Sequence, residues 1–306
     1  MPQRSLLVRL GICSLLVGCA SAPALEGPLV RASGVRQAPV QDTAERERPV
    51  ASGDADDASP GGFGAYRKNY ILATYDEGAE GRAGRDPEEV KFQISFRYPI
   101  STGPSALWFS YTARSFWQLF DFQGSSPFRT TDHEPEIFWE SAPRAASWVD
   151  RRRSWLYRLG VSHQSNGEAG VDSRSWNRVV GELVLHSDRE ARWCEDGVDD
   201  WRLALRTWWV FDFDEPERGD FEDFLGLATL SWDVHWGTLP GSPQLTVEAR
   251  NNFDFGENRG SVQVELSAEA FANSRLMVQV FEGYAENLLD YDRRATRIGV
   301  GFQLSP

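Results

Sequence analysis

From residue 63 onward the chain alternates between apolar and polar side chains, segment after segment. In residues 107–117, Leu107, Phe109, Tyr111, Ala113 and Trp117 share one parity, while Ser110, Thr112 and Arg114 take the other. At the far end, Ile298, Val300, Phe302 and Leu304 alternate with Arg297, Gly299, Gly301 and Gln303. A period of two sends alternate side chains to opposite faces of an extended strand, so these segments read as strands. No run of about 18 apolar residues follows residue 25, so a spanning helix is excluded there. A spanning β-barrel is not excluded, because its alternating strands keep the average low, and the mean hydropathy is −0.45.

A soluble sandwich also alternates, with its apolar faces turned to a core. The choice is tilted by the aromatic load: the chain has 12 tryptophans. Trp117, Trp155, Trp176, Trp208, Trp209, Trp232 and Trp236 fall near expected strand ends, as in the aromatic girdles of membrane barrels. Strands are expected at 68–76, 88–99, 105–118, 132–141, 154–165, 175–187, 200–212, 224–235, 244–253, 260–270, 274–284 and 294–304. That number is even, as closed bacterial barrels require. The expected class is all-β, a twelve-stranded antiparallel transmembrane β-barrel of the bacterial outer membrane. With the N-terminus periplasmic, connections after odd strands face outward. The ending Arg297-x-Gly299-x-x-Phe302-x-Leu304 resembles the C-terminal signature by which such barrels are recognised for insertion.

Residues 1–22 read as an export signal, with Arg4 and Arg9 before an apolar core and Ala20-Ser21-Ala22 as a cleavage site. Leu16-Val17-Gly18-Cys19 equally resembles a lipoprotein box with Cys19 acylated; both routes leave the cytoplasm. Residues 23–62 are rich in Ala, Pro, Gly, Ser, Asp and Arg, too poor in apolar surface to offset their ordering entropy, and read as a disordered tether. The barrel domain is expected over 63–306. A net charge of −13 argues against a nucleic-acid partner. Beyond the leader the one cysteine is Cys194, which cannot form an internal disulfide. His133-Glu134 lacks the second histidine of a zinc motif, and Asp254-Phe255-Gly256 lacks every companion of the kinase tripeptide.

The chemistry gathers in Tyr157-Arg-Leu-Gly-Val-Ser-His163-Gln-Ser165-Asn-Gly167 and Ser173-Arg-Ser-Trp-Asn177-Arg178. On a strand His163 and Ser165 share a face, and their parity is that of Leu159 and Val161, the lipid side. Arg158, Ser162 and Gln164 take the lumen. Asn166, Gly167 and Gly170 then reverse the chain, and Asn177 returns with the parity of Val179, Leu183 and Leu185. Pairing His163 with Asn177 would set an amide beside the imidazole, so that nucleophile, base and orienting group come from one hairpin. Spacing alone leaves a second reading open, a polar pair lining a contact between barrels.

Together these motifs resemble the outer membrane phospholipase A family. The likeness includes Gln118-Leu119 leading to Ser125-Ser126-Pro127-Phe128-Arg129, then Glu134-Pro135, Gly283-Tyr284-x-Glu286-x-Leu288-x-Asp290-Tyr291 and Thr296-Arg297-x-Gly299-Val300-Gly301, in order over residues 63–304. The resemblance implies a calcium-bound homodimer that hydrolyses acyl esters of membrane phospholipids, with its active site facing the outer leaflet of a Gram-negative outer membrane. It implies Ser165 as nucleophile, His163 as general base, Asn177 as the holder of the imidazole and the Gly167 N–H as oxyanion donor. Calcium contacts would fall on the Ser125 carbonyl of one protomer and on the Glu168 carbonyl and Ser173 of the other, with Asp214 at a further position. Two departures stand out: position 168 is Glu where the family commonly shows Arg, and Ala113 replaces a glutamine that some members carry at the dimer seam. The competing readings are a catalytically inactive porin-like or binding barrel, and a soluble sandwich.

Overall fold

Antiparallel pairing runs unbroken around the sheet, and its last strand hydrogen-bonds to its first long one. The computed structural model describes residues 62–79, 86–122, 124–125, 127–146, 153–187, 200–211, 220–254, 256–271 and 273–304. The twelve long strands are β1 Asn69–Asp76, β2 Glu88–Pro99, β3 Ala106–Trp117, β4 Phe128–Glu140, β5 Arg153–Ser165, β6 Ser175–Ser187, β7 Asp200–Val210, β8 Ala228–His235, β9 Gln244–Asn251, β10 Gly260–Phe271, β11 Ser274–Gly283 and β12 Ala295–Leu304. Two strands of two residues, Gly64–Ala65 and Arg144–Ala145, add short rungs on β2 and β5. Closure comes from β12 on β1, with Val300 opposite Ala73 and Leu304 opposite Asn69. A closed sheet leaves no edge of unpaired backbone, the condition for crossing a bilayer with strands. The export signal at 1–22 and all of the 23–62 tether except Gly62 lie outside the described residues.

The alternation resolves into an inside-out distribution. Ile71, Ile94, Leu159, Leu183, Leu230, Val262, Ile298 and Val300 are exposed on the outer wall, while Glu89, Lys91, Arg97, Glu136 and Arg297 are buried inside. Buried charges have to be paired, and here they are. Arg297 meets Glu286 at 2.8 Å, Glu89 at 3.0 Å and Asp76 at 3.1 Å. Lys91 meets the same Glu286 at 2.9 Å. Burial alone would raise the Glu286 carboxyl, but Arg297 and Lys91 outweigh it and hold the group down to about 2. A second cluster joins Arg67, Arg178 and Arg206 to Glu134 and Glu136. The lumen retains a cavity of about 280 Å³ whose wall includes Arg67, Glu134, Arg178 and Arg206.

Connections after odd-numbered strands gather at one end of the barrel, where a short helix, α1 Phe221–Leu225, turns inward. Its Phe221 and Leu225 pack with Trp176, Trp208 and Leu288 in an apolar cluster. This corrects two sequence expectations. Residues 224–227 precede β8 and are not part of it, because Phe224 and Leu225 are drawn into the helix. Trp176 and Trp208 are not girdle residues: they have lumen parity, and Trp176 is 0% exposed against 70% for Trp209. β4 also starts earlier than expected, at Phe128, whose ring stacks on Trp117 with centroids 5.3 Å apart.

Candidate active site

The β5–β6 hairpin carries the candidate site. Its ladder pairs His163 with Asn177 and Ser165 with Ser175, and on the other side of β5 Ser165 faces His133 of β4. His163 is exposed on the outer wall, with Ser165 and Asn177 half-buried beside it. His163 Nδ1 lies 2.9 Å from Asn177 Oδ1. An amide oxygen can only accept, so Nδ1 carries the proton and Nε2 presents a lone pair. The Ser165 hydroxyl makes no hydrogen bond among the described residues. Catalytic hydrogen bonds often tighten only when substrate is present.

The turn that follows is organised by Asn166, which is buried. Its Nδ2 donates to the Asp172 carbonyl at 2.7 Å, while its Oδ1 accepts from the Arg174 N–H at 2.9 Å and the Glu168 N–H at 3.3 Å. Held in this way, Gly167 adopts φ +69°, a left-handed conformation natural to glycine. Its N–H has no partner among the described residues.

Behind the site, the residues between its members face inward and are tightly bonded. Arg178 Nη2 donates to Glu134 Oε1 at 2.6 Å, to Ser162 Oγ at 3.2 Å and to Gln164 Oε1 at 3.1 Å. Trp176 Nε1 donates to Gln164 Oε1 at 2.9 Å, and the Arg178 guanidinium lies 4.2 Å from the Trp176 ring centroid. Each inward side chain fixes the direction of its outward neighbour, since successive residues on a strand oppose each other. Sequence reasoning missed this support. The only hint was the parity of Ser162, Gln164, Trp176 and Arg178, and Glu134 comes from a different hairpin.

The candidate calcium residues lie on connections at the end of the barrel where this hairpin turns. Ser125, in the β3–β4 connection, is exposed with φ +64°. Glu168 is exposed and Ser173 half-buried in the β5–β6 turn, and neither side chain is hydrogen-bonded among the described residues. Asp214 lies outside the described residues. Among the described residues no group of 3 or more His, Cys, Asp or Glu side chains converges as a metal site. At the same end, burial and then the Asp220 hydrogen bond push the Tyr291 hydroxyl up to about 12.

A closed barrel with an apolar exterior, bearing a hydroxyl, an imidazole and a carboxamide on its outer wall, has the layout of an integral membrane hydrolase. The phospholipase A1 family model matches residues 47–304. Phospholipase A1 of Escherichia coli K12 is 32% identical over 254 residues, covering 78% of this chain and 80% of the relative. That of Salmonella typhimurium is 33% identical over 224 residues, covering 71% and 70%. Among solved structures, outer membrane phospholipase A from E. coli superposes with a TM-score of 0.68 at 28% identity, covering 81% of this chain and 94% of its own. The Salmonella typhi outer membrane phospholipase, described as a dimer with bound calcium, gives 0.65 at 27% identity, covering 82% and 94%. The chain belongs to the phospholipase A1 family: it is an outer-membrane β-barrel phospholipase.

Proposed function

We propose that the chain is a calcium-dependent phospholipase that cleaves acyl esters of glycerophospholipids in the outer leaflet, using Ser165, His163 and Asn177. The observation that carries this reading is the His163–Asn177 hydrogen bond, which leaves the imidazole Nε2 free to act as a base on the face that Ser165 shares. An E. coli relative described as an active-site mutant, with an asparagine replaced by alanine, supports the role given to Asn177. Asparagine suits the location, since a carboxylate on a lipid-facing wall would carry a large desolvation penalty.

Ser165 Oγ attacks the acyl carbonyl carbon as its proton passes to His163 Nε2. The bond to the glycerol oxygen then breaks, and His163 returns the proton to that oxygen. Water, deprotonated by the same imidazole, attacks the Ser165 acyl ester and releases the fatty acid. The Gly167 N–H donates to the carbonyl oxygen as charge builds on it. Calcium, when bound, would supply positive charge that stabilises the developing oxyanion. The Ser125 and Glu168 carbonyls, the Ser173 hydroxyl and Asp214 would hold it. These oxygen donors fit a hard cation, and carbonyls shared between two copies need no carboxylate cluster within one. By extension from the calcium-bound Salmonella typhi dimer, the working form is a homodimer.

The test is hydrolysis of phosphatidylethanolamine in mixed micelles, with calcium and then with chelator, alongside crosslinking. Hydrolysis that stops on chelation, together with a calcium-dependent crosslinked dimer, is the expected result. Undiminished hydrolysis in chelator overturns the calcium requirement, and activity in a species that never crosslinks overturns the dimer.

A further inference from the structure

The site contains a second imidazole that this mechanism does not use. His133 sits on β4 directly opposite Ser165. It has the parity of Ile137 and Trp139, which are exposed on the outer wall. Side chains directly opposite on antiparallel strands have Cβ atoms about 4.5–5.5 Å apart, closer than two residues along one strand. By register, then, the His133 Cβ is expected to lie at least as near to that of Ser165 as the His163 Cβ does. Its ring also borders the oxyanion corner: a Cβ added to Gly167 would meet His133 Cδ2 at 3.6 Å and Nε2 at 3.7 Å.

What separates the two imidazoles is the partner each has at Nδ1. His163 faces an amide oxygen, a pure acceptor, and so keeps its proton on Nδ1. His133 Nδ1 lies 2.6 Å from the Tyr111 hydroxyl. Tyr111 has no other hydrogen-bond partner among the described residues and shares the lipid-facing wall. A phenol is a stronger acid and a weaker acceptor than a neutral imidazole, so the stronger form of this short contact has Tyr111 donating to Nδ1, which places the His133 proton on Nε2. The two hydrogen bonds thus set opposite tautomers. His163 presents a lone pair at Nε2, and His133 presents an N–H there.

We infer that His133 is a substrate-contacting residue of this site. Its Nε2–H joins the Gly167 N–H as a donor to the acyl carbonyl oxygen, and Tyr111 acts as a positioning residue that holds the required tautomer. The inference rests on the Ser165 reading above. As the Ser165 Oγ–carbon bond forms and the Ser165 proton goes to His163, the carbonyl π electrons move onto oxygen, and that charge is what the His133 N–H meets. No proton leaves His133. In the tautomer set by Tyr111 it has no lone pair at Nε2 and cannot replace His163 as base.

Four purified full-length variants test this on phosphatidylethanolamine mixed micelles with calcium: Ser165→Ala, His133→Phe, His133→Gln and Tyr111→Phe. Barrel folding is checked by the heat-dependent shift in gel mobility. Loss of one oxyanion donor costs about 100-fold or more in kcat. His133→Phe should therefore lose kcat by that order with KM little changed. His133→Gln, which keeps an N–H donor, should recover part of the loss. Tyr111→Phe should lose less than His133→Phe, because the donating tautomer stays partly populated. A purely structural role would instead move both His133 variants together, and would raise KM or weaken folding. The inference is overturned if folded His133→Phe keeps kcat within twofold, or if His133→Gln is no better than His133→Phe. Activity in Ser165→Ala overturns this inference along with the parent reading. A dead Ser165→Ala beside a fully active His133→Phe overturns this inference alone.

Discussion

The two faces of the β5–β6 hairpin are built on opposite plans. Facing the lumen, Ser162, Gln164, Trp176 and Arg178 are locked to one another and to Glu134 by hydrogen bonds and ion pairs. Facing outward, His163 and Asn177 are joined by a side-chain hydrogen bond of 2.9 Å, and the Ser165 hydroxyl has no partner among the described residues. Charge needs no water where it is fully paired, so the interior tolerates arginine and glutamate in density. The outer wall meets lipid and can carry only a few neutral polar groups. Rigidity therefore comes from inside, and the proposed reactive groups lie outside, on residues that alternate along the same two strands.

That contrast can be broken from either face. The largest effect is expected for Ser165→Ala, which should lower kcat by about 10⁴- to 10⁶-fold, as loss of a nucleophile does in hydrolytic triads. The barrel should keep its heat-dependent gel mobility, since no lumen contact is touched. Breaking the inner face should do the reverse. Arg178→Met leaves Glu134 short of a buried partner and should cost roughly 3–5 kcal/mol in urea unfolding, with activity falling as a consequence. Adding Glu134→Gln to Arg178→Met should restore part of that stability, and strict additivity of the two would show the pair is not coupled. Asn177→Ala removes the neutral hydrogen bond to His163, worth about 1 kcal/mol, so kcat should fall roughly fivefold while the unfolding midpoint shifts little. The smallest effect concerns acid. Glu286 is depressed in the folded state to about 2 from an ordinary 4.5. Its contribution is complete above the ordinary value and is lost as pH falls from there through the folded one. Glu286→Gln should flatten that part of the stability–pH curve, measured by urea unfolding at each pH.

Much of this was legible in the chain because a barrel wall repeats a local rule. The parity of Leu159, Val161, His163 and Ser165 places the hairpin's outward residues without knowledge of any distant contact, and β5 and β6 lie close to where alternation puts them. What escaped depends on contacts distant in sequence. Phe221, Phe224 and Leu225 resemble strand residues until Trp176 and Trp208 provide an inward apolar face for a helix. Trp176 itself resembles a girdle residue, although its neighbours Asn177 and Arg178 already fix its parity inward. Glu134 and Arg178 come from different hairpins, so no local pattern joins them. His133 read as an incomplete zinc motif because its significance lies in the β4–β5 register, which sets it opposite Ser165.

The most direct measurement is mass spectrometry of the purified protein after reaction with a fluorophosphonate ester probe in calcium-containing micelles. A single adduct on Ser165, absent from His163→Ala and formed in step with loss of hydrolysis, is the predicted result. Complete inactivation with the adduct on another residue, or hydrolysis continuing after Ser165 is fully modified, would contradict an outward-facing serine as the reacting group.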